Sequence, residues 1–138
     1  MTRGITIIEL LLVVAIILTL GLMSASFYSR FLTQNAVGNT QNQLVNSFRK
    51  AQTYSMMGKQ NGVWGVRYAS NQITLYLTGD SSFDESFDVN NTVTVTTFDI
   101  AFAKITGLPS STGDIAITGG NNTKIVTINS QGVASKSN

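Results

Sequence analysis

From Ile5 to Met23 the chain reads ITIIELLLVVAIILTLGLM, a run in which only Thr6, Glu9, Thr19 and Gly21 are not plainly apolar. A helix rises about 1.5 Å per residue, so a run of this length can cross a hydrocarbon core about 30 Å thick. Beyond it the apolar positions thin to a stripe. Phe27, Phe31, Val37, Leu44, Phe48, Ala51 and Ser55 recur at helical steps, with Asn, Gln, Arg and Lys between them. This spacing predicts an amphipathic continuation of the same helix, its stripe covering the core of the sheet that follows. Gly38 is a candidate bend, and Gly58, after Met56-Met57, a candidate stop.

After Gly58 the period falls to two. VWGVRYA (Val63 to Ala69) and QITLYLT (Gln72 to Thr78) flank a polar Ser70-Asn71 pair and read as a hairpin, with Trp64, Val66 and Tyr68 on one face and Ile73, Leu75 and Leu77 on another. GDSSFDESFDVNN reads as a loop. In TVTVTTFDIAFAKI, Val93 and Val95 alternate in one phase and Phe98, Ile100 and Phe102 in a second, so a bulge or bend is expected between them. DIAIT, a turn of Gly119-Gly120-Asn121-Asn122 and TKIVTIN form the last hairpin. Five or six strands against one long helix predict an α+β fold: a helix with a transmembrane half and an amphipathic half, packed on a C-terminal antiparallel β-sheet domain.

Composition narrows the chemistry. A chain of 138 residues suits one compact domain plus an anchor. With no His and no Cys, the commonest general base, the usual zinc ligands, thiol nucleophiles and disulfides are all absent. Neither a Ser-His-Asp set nor a phosphate-cradling glycine loop is present, so an enzyme is not expected, nor is a cofactor. The net charge of +2 gives no broad footprint for nucleic acid. Arg49, Lys50 and Lys59, with Arg67 on the next strand, could form a small basic strip. Asp80, Asp84, Glu85 and Asp88 gather four of the seven acidic residues in one segment and are weak candidates for calcium, without the spacing or internal glycine of an EF-hand. The default reading of such a segment is a solvated surface.

Glu9 is the residue that the apolar run does not explain, because a carboxylate at membrane depth is costly enough to mark a function or a partner charge. Arg3 and the initiating amine place the N-terminus in the cytoplasm and the C-terminal domain outside, in a single-pass protein. Ser24-Ala25-Ser26 imitates a signal-peptidase site, but the charged leader is short and the helical pattern continues past it.

The stretch Arg3-Gly4-Ile5-Thr6-Ile7-Ile8-Glu9-Leu10, followed by LLVVAIIL, resembles the prepilin signal of type IV pilins and type II secretion pseudopilins. The resemblance implies that a prepilin peptidase cuts between Gly4 and Ile5 and methylates the new amine on Ile5, where the family usually has phenylalanine. It also implies that Glu9 meets such an amine during filament assembly. NQLVNSFRKAQTYSMMGKQNGVWGVRY and the late TKIVTINSQGVAS are similar to the minor pseudopilin group called general secretion pathway protein H and to related fimbrial minor pilins. The organisation implied is a leader at 1–4, a transmembrane helix at 5–27, its amphipathic continuation at 28–58 and a pilin-like β-rich domain at 59–138. The expected role is a structural minor pseudopilin that helps drive protein secretion from the bacterial inner membrane, its domain periplasmic or extracellular. The expected partners are other pilin or pseudopilin subunits, the prepilin peptidase and, before assembly, membrane lipid. The alternative is a minor pilin of a type IV or competence pilus, with or without contact to DNA, a nucleic-acid partner not being expected; a membrane-anchored enzyme and an uncut surface adhesin rank behind.

Overall fold

The computed structural model describes residues 6–137. The chain divides between Leu32 and Thr33 into two compact units. One helix, α1 (Ile7–Met56), supplies the described part of the first unit and continues into the second. Its start is capped by Thr6, whose Oγ1 accepts the Glu9 backbone N–H at 3.3 Å, while the Thr6 carbonyl accepts from Glu9 and Leu10. Its end is set by Gly58, which takes the left-handed conformation at φ 63° as the residue that stops a helix commonly does. The Gly58 N–H donates to the Ser55 carbonyl, closing one of the groups a helix end leaves unpaired.

Eight strands follow among the described residues, more than the five or six expected: β1 (Trp64–Ala69), β2 (Gln72–Leu77), β3 (Asp80–Asp88), β4 (Thr94–Val95), β5 (Phe98–Phe102), β6 (Gly113–Gly119), β7 (Asn122–Ile128) and β8 (Ala134–Ser137). They form two antiparallel four-stranded sheets, ordered β3-β2-β1-β5 and β4-β6-β7-β8. The two phases of TVTVTTFDIAFAKI are therefore not one bent strand. The chain leaves the second sheet after Val95 and enters the first at Phe98.

The first hairpin turns through Ser70 and Asn71, both at positive φ, as a two-residue turn of this kind requires. This register sets Trp64 opposite Leu77, Val66 opposite Leu75 and Tyr68 opposite Ile73. The two apolar rows, read as separate faces from the sequence, thus share one face of the sheet. That face meets the helix stripe in a core that includes Phe48, Trp64, Val66, Ile73, Leu75 and Phe102. The last hairpin is tighter than expected, because Gly119 pairs with Asn122 and only Gly120 and Asn121 form the turn.

Within residues 33–137 the helix serves both sheets. Val37 and Thr33 lie so close to Gly119 of β6 that an added Cβ would come within 2.6 Å of Val37 Cγ2. Buried Gln41 donates to the carbonyls of Ile125 and Ser137, closing one end of the β7–β8 pair. Further along, Phe48 packs at a tilt against Phe98 and edge-on against Phe102 of β5, at 5.4 and 6.2 Å between ring centroids. Buried Ser55 accepts the Trp64 backbone N–H at 2.9 Å. The stripe predicted from sequence is thus buried from Val37 to Ser55, whereas Phe27 and Phe31 are exposed.

The segment read as a loop is strand β3, paired with β2 at both ends: Leu77 faces Asp80, and Leu75 faces Glu85. Four residues, Ser81 to Asp84, therefore stand against Tyr76 alone, an irregularity larger than an ordinary bulge. The polar composition of DSSFDESFD hides the pairing, since exposed edge strands carry charge that resists further pairing.

Candidate assembly site

Gly4 and Ile5, the residues expected to be cut, lie outside the described residues. Glu9 sits in the first turn of α1, in the sequence Thr6-Ile7-Ile8-Glu9. A Thr cap with Glu three residues later is the pattern of a capping box, which the apolar reading of this run passes over; the spacing alone is enough to reveal it. A carboxylate in the first turn also faces the positive end of the helix dipole. Glu9 is therefore compatible with the helix start on local grounds as well as being a candidate for pairing.

The surface around it is apolar and open. Every described side chain from Thr6 to Leu22 and from Phe27 to Leu32 is exposed, including Ile8, Leu11, Ile17, Leu18 and Phe31. An exposed apolar surface this extensive is not expected of a water-soluble monomer; it requires lipid or protein around it. The helix is long and apolar enough to cross a membrane.

The other candidates from sequence are dispersed. Lys50 pairs with Glu85 at 2.5 Å, and Arg67 pairs with Asp84 at 3.3 Å while lying 5.2 Å from the Tyr76 ring centroid. Lys59 sits 3.7 Å from the Tyr54 ring centroid, and Arg49 is exposed. The basic strip is thus not one strip: two of its four members are engaged by carboxylates. Asp80 is held below the usual carboxylate range by hydrogen bonds from Ser82, first from its backbone N–H. Asp88 accepts from Gln72 at 2.7 Å. Strand alternation sends Asp84 and Glu85 to opposite faces, and no group of three or more potential ligands gathers among the described residues. The calcium suggestion therefore loses its cluster.

Two groups beyond the apolar run report on the domain itself. The hydrogen bond from Lys50 to Glu85 raises the lysine above its ordinary value. Burial, and then the 2.6 Å bond donated to Asp99, raises Tyr76. A raised folded-state pKa contributes stability that is complete below the unfolded value and is lost as pH climbs toward the folded one. Both groups act in the same direction, so denaturant resistance followed by circular dichroism should hold up to about pH 9 and fall as pH rises past about 10, where free Tyr and Lys titrate. Tyr76→Phe should flatten part of that fall; an unchanged slope would mean that Tyr76 carries none of it.

No family model, curated protein or solved structure matches this chain.

Proposed function

We propose that this chain is a pilin-like structural subunit, a minor pseudopilin whose apolar helix is held in the membrane and then transferred into a short secretion filament. The observation that carries this reading is Glu9, in the first turn of an exposed apolar helix and five residues after a Gly4 set in a prepilin-type sequence. Cutting after Gly4 would leave an ammonium on Ile5, one residue before the Thr6 cap. A positive charge at the positive end of a helix dipole is unfavourable, so a carboxylate close by offsets it. In a filament the same carboxylate serves the amine of a neighbouring subunit, and the pair fixes the register between them. The α+β domain beyond Leu32 acts as the exposed body of the subunit.

Processing tests this reading. Mass spectrometry of the chain produced together with a prepilin peptidase should find Ile5 as a methylated N-terminus. Replacing Gly4 by a bulky residue should leave Met1 to Gly4 attached. A native chain that keeps its leader in the presence of an active peptidase would overturn the proposal.

A further inference from the structure

The turn that joins β3 to β4 reads Asp88-Val89-Asn90-Asn91-Thr92, an Asn followed two residues later by Thr with no proline between them. That pattern is the acceptor motif for N-linked glycosylation, in which the Asn side chain takes the sugar and the hydroxyl residue is read with it. Val89 and Val93 are buried on either side, and the Val93 N–H donates to the Asn90 carbonyl at 2.8 Å, so residues 90–93 form a closed turn. Asn71 of the β1–β2 turn ties it down, its side-chain amide donating to the Val89 carbonyl and to Asn91 Oδ1. Between these anchors Asn90, Asn91 and Thr92 are exposed.

The side chains of the turn suit that chemistry. Asn90 Oδ1 accepts the Thr92 backbone N–H and the Thr92 hydroxyl, each at 2.9 Å. An amide nitrogen is a poor nucleophile, because its lone pair is shared with the carbonyl. Two donors on the oxygen stabilise the negative charge that gathers there as Nδ2 gives up a proton. Nδ2 itself makes no hydrogen bond among the described residues. Asp88, two residues before the acceptor, is exposed, accepts from the neutral Gln72 amide and is in no ion pair among the described residues, which leaves its charge as a handle for a cationic group. A second copy of the motif, Asn121-Asn122-Thr123, lacks these features. Asn122 and Thr123 are already in β7, and the Thr123 hydroxyl is engaged with Thr118 across the β6–β7 pair at 3.2 Å. Reading that copy would require the hairpin to open.

We infer that Asn90 is an acceptor for an N-linked glycan and that Asn121 is not. The donor class is an oligosaccharide carried on an isoprenoid pyrophosphate, and the partner is a membrane-bound oligosaccharide transferase. Asn90 Nδ2 forms a bond to C1 of the first sugar as the bond from C1 to the pyrophosphate oxygen breaks. The lipid pyrophosphate leaves with the electron pair, and one Nδ2 proton passes to a base of the transferase. Oδ1 keeps both bonds from Thr92, so the turn survives the modification. The transfer takes place on the outer side of the membrane, so the inference rests on the outward placement of the domain in the reading above, and on neither leader cleavage nor filament entry.

The test uses the full chain in detergent with a purified single-subunit oligosaccharide transferase and an undecaprenyl-pyrophosphate-linked oligosaccharide. Mass spectrometry of the intact chain should show one added oligosaccharide, and peptide mapping should place it on Asn90. Asn90→Gln should abolish the addition, and Asn121→Gln should leave it unchanged. Thr92→Val, which keeps the shape of the side chain without its hydroxyl, should lower the yield about tenfold, the worth of one good hydrogen bond, while Thr92→Ser should keep most of it. Trp64 fluorescence checks that each variant is folded. No addition, addition at Asn121 instead, or addition only once the chain is unfolded would overturn the inference. Cells that make the chain with the same transferase and donor test the outward placement separately: addition in detergent but not in cells leaves Asn90 an acceptor and counts against the outward domain. Gly4→Trp, which should keep its leader, should still gain the oligosaccharide in cells.

Discussion

Phe48→Ala should cost the domain about 3–5 kcal/mol, the usual range for removing a large aromatic side chain from a packed core. Phe48 is fully buried and is the point at which α1 meets β5, through Phe98 and Phe102. The helix is anchored elsewhere by side chains such as Gln41 and Ser55, which cannot move inward to fill the gap. Trp64 is the only tryptophan and is 1% exposed, so its fluorescence follows unfolding directly. Domains of this size are stable by roughly 5–15 kcal/mol, and the substituted chain should unfold at a much lower denaturant concentration. A midpoint close to that of the native chain would mean that the helix is not packed on the first sheet through Phe48.

Some of this fold is legible in the sequence, and the rest is concealed for physical reasons. The helix is readable from its period and from Gly58, because helical spacing that gives way to alternation at a glycine is what a capped helix leading into a strand produces. The first hairpin is readable because Ser70-Asn71 separates two alternating runs by two residues. The two sheets are not, since Val95 and Phe98 are close in sequence and nothing local reports that the chain changes partners between them. Strand β3 is hidden because its side chains are those of a loop, whereas its pairing depends on β2. The paired roles of Lys50 with Glu85 and Arg67 with Asp84 join residues 35 and 17 positions apart, which only the tertiary fold brings together. Thr6, the partner of Glu9 in the capping pattern, is legible from spacing and escapes notice when the carboxylate is weighed against the membrane alone.

Glu9 therefore has two physical claims on it, and they predict different outcomes. As a capping residue it contributes through hydrogen bonding and a dipole effect of about 0.3–1 kcal/mol, so Glu9→Gln should be nearly neutral. As the partner of an ammonium in a desolvated filament it must be charged. Its loss would strand the amine, at a cost of about 3–5 kcal/mol, equivalent to a fall of roughly a hundredfold or more in an assembly equilibrium. Membrane insertion rests on the apolar run and should be unaffected by either Glu9→Ala or Glu9→Gln. The deciding measurement is the fraction of Glu9→Gln chain recovered in sheared filaments, from cells that carry the assembly machinery and hold equal amounts of native and substituted protein in the membrane. Near-complete loss of incorporation is the result expected of a subunit that assembles through this carboxylate; incorporation at the native level would contradict it.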